Sequence, residues 1–306
     1  MLFIISLISF IAINLAPNSF FASGELNPNI TPEAIEELKA IYGLDKPLYI
    51  QFFSWIYSIL QLDFGISFTS GEKVKEEILS RIPITLTINI VSIILIFIIS
   101  LYFGIKSAMK KNSIFDRFTN QLSLLSFSMP SFYLALVLVL VFSIKFELFP
   151  IAGLHSVPND GSLNYYLDFA WHLTLPIFII VFGGIGSLIL YIRALTIEIL
   201  KSDYIFFARA RGLDNKKILR YYILPNLYPP VITLLGLSLP GIIGGSVILE
   251  TIFSIDGMGL LFYQSALSHD YPVIMGILII GAFLTLIGNM FADLILLKLN
   301  PNYNEK

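Results

Sequence analysis

"ARARGLDNKKILRYYILPN", residues 208–226, sets Arg209, Arg211, Lys216, Lys217 and Arg220 between two of the most apolar segments of the chain. The pattern reads as helical from about Ala194 through Arg211. Gly212 then suits the left-handed position just past a helix end, and Leu213 the hydrophobic contact that accompanies it. Asp214 suits the N-cap of a second helix, in which Ile218, Leu219 and Tyr222 form an apolar side and Lys216, Lys217 and Arg220 stay polar. Pro225 is expected to end that helix, and Pro229 and Pro230 to redirect the chain. The stretch thus predicts two short helices meeting at a glycine corner. Basic residues alone would suit a surface of anionic lipid. Apolar Ala208, Leu213 and Ile218 in a segment leaving the bilayer suit instead a ridge for a partner's groove. The spans on either side leave too little chain for an independently folded DNA reader.

The flanking segments define the class. The 306 residues are 56% hydrophobic and 13% charged, where soluble domains carry about 25% charged residues. A span needs roughly 20 apolar residues, and six segments are read as spans: Leu2 to Ala16, which is short, then Ile84 to Ile105, Leu122 to Ile144, His172 to Ile192, Pro230 to Phe253 and Val273 to Leu297. The first has a second reading as a secretory signal, but no Lys or Arg precedes it. A net charge of -2 offers no general attraction to nucleic acid. The absence of Cys excludes disulfides, thiolate metal sites and a cysteine nucleophile.

Basic residues orient the spans. Lys106, Lys110, Lys111 and Arg117 follow the second, and Arg193, Lys201 and the basic residues of the opening stretch follow the fourth; residues 146–170 and 254–272 hold no Lys or Arg. Both basic loops and both termini are therefore expected in the cytoplasm. Residues 17–82 are then extracytoplasmic and read as helical. Thr31 caps and Pro32 opens a helix ended by Gly43, and amphipathic pieces follow at Leu48 to Leu62 and Lys73 to Leu79. The expected organisation is an all-α membrane protein: a first span over 1–16, an extracytoplasmic helical region over 17–82, and five spans over 83–306 with a cytoplasmic loop at 193–226.

Enzymatic signatures are sparse. "DFG" at Asp63 to Gly65 has no kinase Gly-rich or catalytic loop around it, and no Walker-type phosphate loop occurs. His155, His172 and His269 lack ligand spacing and read as solvated or interfacial rather than metal-binding. "GGIGS" at Gly183 to Ser187 reads as close helix packing, not as a serine nucleophile. Glu250 and Asp293 lie near or within spans; each is either a structurally capped group near a span end or, for Glu250, part of a pathway. Pro240, Gly241, Gly244 and Gly245 make the fifth span suited to a moving gate or a tight subunit contact.

The opening stretch resembles the EAA loop of ATP-binding-cassette importer permeases. Ala208 takes the last alanine place, Gly212 the glycine and Leu224-Pro225 the closing pair, while Phe206, Phe207 and Tyr222 depart from the general pattern. "DYIFFARARGL" is similar to the peptide-permease form of the motif. "RIPITL", "SMPSFYLAL", "WHLTLP", "ETIFSIDGMG" and "DYPVIMG" also resemble, in order, the dipeptide/oligopeptide permease subunit of the B type. "LAPNSFF" departs from that family's beginning. The resemblance implies a second permease subunit, two ATPase subunits that bind ATP and magnesium, and an extracytoplasmic solute-binding protein, with no cofactor or metal in this chain. It makes Asp203, Ala208, Arg209, Gly212, Leu213, Leu224 and Pro225 the coupling residues; the residue types of the fifth span make Pro240, Gly241, Gly244, Gly245 and Glu250 a pathway or gate set. The competing readings are an ATP-independent secondary carrier, for which no inverted repeat is evident, and an intramembrane hydrolase.

Overall fold

The computed structural model describes residues 4, 6–8, 10, 11, 46–238 and 247–299. Among them the chain is helical, apart from loops and one isolated bridge between Ile66 and Lys73. The helices are α1 (Leu48–Leu60), α2 (Val74–Met109), α3 (Ile114–Ser128), α4 (Ser131–Leu138, widening into a π-helical turn over Val139–Lys145) and α5 (Leu163–Leu200). They continue with α6 (Asp203–Ala210), α7 (Asn215–Ile218), a π-helical turn over Leu219–Ile223 leading into α8 (Leu224–Ser238), α9 (Val247–Ile252), α10 (Met258–Leu267) and α11 (Tyr271–Leu299). The expected cap at Thr31, most of the first span, and Pro240, Gly241, Gly244 and Gly245 lie outside the described residues.

Helices α2, α5 and the Tyr271–Phe291 part of α11 are long and apolar enough to cross a membrane. The expected span Leu122 to Ile144 is not one rod. Helices α3 and α4 meet at 99°, because Pro130 disfavours helical backbone at the residue before it and Met129 is extended, at φ -89° and ψ 119°. The separate helix expected at Lys73 to Leu79 is instead the start of α2, which runs on through Pro83. Val74 and Ile78, both 0% exposed, hold these turns against Met258, Leu261 and Val273.

Side chains are distributed as in a bilayer rather than in water. On α2 the buried positions include Ser92, Ser100, Gly104, Ser107 and Ala108, while Ile90, Ile94, Ile98 and Tyr102 face outward. Lipid tails solvate large apolar groups, so helix association in a membrane depends on close approach through small residues. A Cβ on Gly104 would come within 2.8 Å of Ile192 on α5, and one on Gly186 within 2.5 Å of the Ser123 carbonyl oxygen on α3. Together with Ile96 beside Gly184 and Asp116 beside Arg193, these contacts place α2 parallel and α3 antiparallel to α5, the central helix.

Candidate functional site

At one end of the bundle, α5 leads into the basic segment around Gly212. The continuous helix expected from Ala194 to Arg211 breaks at Ser202, whose backbone is extended (ψ 152°) and whose hydroxyl donates to the Ile199 carbonyl at 2.6 Å. The break lets α6 fold back and bury Ala208, 2% exposed, and Ile205, 1% exposed, the latter in a cluster with Phe97, Ile105, Ile192, Ile218, Ile223, Leu227 and Val231.

Gly212 ends α6 with φ +79°, in the left-handed region. Its N–H donates to the Arg209 carbonyl at 2.9 Å, and the Leu213 N–H reaches the Ala208 carbonyl at 3.2 Å. This pair of bonds is the Schellman arrangement, which needs a residue free to adopt positive φ. Asp214 caps α7 by accepting from the Lys217 N–H at 2.9 Å. Tyr204 and Tyr222 stack across the corner, ring centroids 6.2 Å apart.

Two expectations for this segment need correction. Ala208 and Ile218 are not outward knobs: they anchor the corner to the chain's own core, because burying them there removes apolar area from water at the bundle's end. Phe206 (69% exposed), Phe207 (60%) and Tyr221 project instead, beside exposed Asp203, Arg209, Arg211, Lys216, Lys217 and Arg220. Nor does Pro225 end the helix. The N–H of Leu224 reaches back five residues to the Leu219 carbonyl, and this wide turn accommodates the proline so that α8 continues through Pro225, Pro229 and Pro230.

Behind this corner lies a polar hub that charge counting missed. Arg193 on α5 bonds both oxygens of Asp116 on α3. Asp116 also accepts from the Ser107 hydroxyl, the Asn112 N–H at 2.8 Å and Asn120 Nδ2 at 3.1 Å. The local signal was Ser113, which caps α3 by accepting from the Asp116 N–H; the partner on α5 had none.

At the other end of the bundle, Glu250 on α9 is 3% exposed. It accepts from the N–H groups of Gly259 and Leu260 at 2.7 and 3.0 Å and meets the Thr85 hydroxyl at 3.2 Å, while Thr85 accepts from the Met258 N–H at 2.9 Å. The carboxylate closes the N-terminus of α10. A Cβ on Gly257 would lie 2.5 Å from that carboxylate, which explains the glycine. Asp293 is exposed on α11. The loop before α5 is fastened by Asp168, which lies 3.6 Å from His155 and 3.4 Å from His172 and accepts from the Ser156 N–H at 2.7 Å. His172, read as solvated or interfacial, is buried.

A bent, interrupted helical bundle with apolar spans and small-residue seams fits a membrane protein, and comparison with known proteins shows its family. Residues 100–305 match the binding-protein-dependent transport system inner membrane component, and residues 1–89 the N-terminal part of such membrane components. The chain belongs to this family of importer permeases. Within it, the chain is 35% identical over 298 residues to the oligopeptide transport system permease protein AppB of Bacillus subtilis (strain 168), covering 97% of this chain and 93% of that protein. It is 32% identical to the dipeptide transport system permease protein DppB of Lactococcus lactis subsp. cremoris (strain MG1363), covering 98% and 94%. It is also 32% identical to the metal-staphylopine import system permease protein CntB of Staphylococcus aureus (strain Mu50), covering 91% and 85%. In fold it is similar to a chain of the MetNI methionine ABC transporter in an inward-facing crystal form, with a TM-score of 0.58 at 17% identity, covering 73% of this chain and 96% of the other.

Proposed function

We propose that this chain is one permease subunit of an ATP-driven importer, lining the route for peptides or similar small solutes across a bacterial inner membrane. The observation that carries this reading is the Gly212 corner. Its apolar side is anchored to the ends of α2 and α5, and its other side presents Phe206, Phe207 and a row of basic residues. Such a rigid, exposed element suits the groove of an ATPase subunit: closure of the groove would push on α5 and α8 together. Asp203, Ala208, Arg209, Gly212, Leu213, Leu224 and Pro225 form or support this coupling element. ATP and magnesium belong to two partner ATPases, a second permease (identical or homologous) completes the pathway, and an extracytoplasmic solute-binding protein delivers the solute. Both termini and the Gly212 corner then face the cytoplasm.

The chain has no cysteine, so a single one at Phe207 or Arg211 gives a clean crosslinking probe in membranes holding the whole transporter. The expected product joins this chain to an ATPase subunit. Capture of lipid alone, with import intact after the corner is altered, overturns the assignment. Solute uptake that persists without any ATPase subunit returns the secondary-carrier reading.

A further inference from the structure

The 99° break between α3 and α4 opens a cavity of about 370 Å³ against α5, within the roughly 300–1,000 Å³ range of small-molecule sites. Gly183 stands near the middle of Leu163–Leu200 and Asn89 near the middle of Val74–Met109, so the cavity sits at mid-depth of the two long helices. Asn89 and Ser131 supply its polar side chains, Phe127 and Leu249 its apolar walls. Among the described residues its lining carries no charge. Ser126, 1% exposed, donates to the Phe182 carbonyl and braces the wall against α5, and Asn89 is oriented by its bond to the Thr85 carbonyl at 2.9 Å.

The glycines of α5 separate packing from space. A Cβ on Gly184 would meet the movable end of the Ile96 side chain at 2.5 Å, whereas one on Gly186 would press to 2.5 Å of the Ser123 carbonyl oxygen, so neighbouring backbone holds Gly186 to glycine. A Cβ on Gly183 would meet nothing within 4 Å. Packing does not require a glycine there, and its lack of a side chain keeps the cavity open.

Resting on the permease reading, the geometry points to this cavity as a passage site for the peptide group itself, where neutral hydroxyl and amide groups engage substrate backbone whatever side chains it carries. Peptide N–H and C=O groups need partners at mid-membrane depth, where an unpaired one costs several kcal/mol. A charged lining would instead retain peptides of one sign and repel the other. Neutral donors and acceptors serve both.

The test is a Gly183→Cys substitution in the otherwise cysteine-free chain, in membranes carrying the complete transporter. A charged, membrane-impermeant methanethiosulfonate should label it but not Ile98→Cys, whose site is 59% exposed on the outward face of α2. Trialanine should slow the labelling at least five-fold; trialanine with both peptide nitrogens methylated should not. Gly183→Phe should cut ATP-dependent trialanine uptake at least ten-fold at unchanged abundance in the membrane. Labelling only by an apolar maleimide would mean lipid fills the cavity and overturns the site. Normal trialanine uptake with unprotected labelling, or in Gly183→Phe, overturns it while the permease reading stands. If the unsubstituted transporter takes up no trialanine, the peptide reading itself fails and takes the site with it.

Discussion

Arg193 holds Asp116 in a two-pronged grip, Nε to Oδ1 at 2.7 Å and Nη2 to Oδ2 at 2.9 Å, across 77 residues of sequence. The Asp116 side chain is 3% exposed and that of Arg193 21%. The pair ties the start of α3 to α5 a few residues before α5 breaks into the Gly212 corner. Removing one partner of a buried pair strands the other charge. Asp116→Ala should therefore lower the stability of the purified chain by about 2–3 kcal/mol, less than for a fully buried pair because the guanidinium keeps some solvent. Arg193→Met added to it should restore part of the loss, a non-additivity that a double-mutant cycle of thermal melts will measure. Additive losses would show that the pair does not act as a unit.

The Gly212 corner should discriminate among side chains by backbone preference. Left-handed backbone costs most residues about 1–2 kcal/mol, and Asn less. Gly212→Asn should keep near-normal uptake, whereas Gly212→Val should leave the chain in the membrane but separate ATP hydrolysis from transport. Paired assays of uptake and ATPase rate on the whole transporter will decide it; equal behaviour of the two variants would remove the corner from the mechanism.

At the opposite end, Gly257→Ala should fail because its methyl group would press on Glu250 Oε2 and Thr85 Oγ1, at 2.5 and 2.7 Å. Overpacking of this kind costs about 1–3 kcal/mol. Thr85→Ser keeps the hydroxyl, so it should be milder than Thr85→Ala, which orphans the Met258 N–H. Melting temperatures of the three variants in detergent give the ranking, and a tie between Thr85→Ser and Thr85→Ala would argue against the hydroxyl as a cap.

Asp168 should govern the loop before α5. Asp168→Ala releases the Ser156 N–H and removes the carboxylate beside His155, while the His172 ring keeps its 2.8 Å contact with the backbone carbonyl of residue 168, so limited proteolysis should cut within residues 150–162 several-fold faster. His155→Phe should keep much of the protection, since His155 also stacks on Tyr165 with centroids 3.9 Å apart. Unchanged cleavage in Asp168→Ala would mean the loop is held by stacking alone.

The local features of the Gly212 segment were open to inspection because they depend on near neighbours in the chain. Gly212 at positive φ, Leu213 bonded back to Ala208, and Asp214 as a cap all follow from the residues within one turn. The apolar cores of α2, α5 and α11 were equally legible, since about 20 apolar residues in a row state their solvent directly. Misreadings arose where one neighbour overrode another. Pro225 looked like a stop until the wide turn at Leu219–Ile223 carried the helix past it, and Pro130 bent a run that composition alone read as straight.

What the sequence determined by itself was the membrane class, the long helices and the glycine corner, all set by composition and short-range backbone preference. Tertiary structure alone decided which face of that corner turns inward, that Arg193 meets Asp116, that Glu250 closes α10, and that Gly183 borders open space while Gly184 and Gly186 do not. Each of those depends on the distance between helices far apart in the chain, and that distance is set by how small side chains on one helix admit the surface of another.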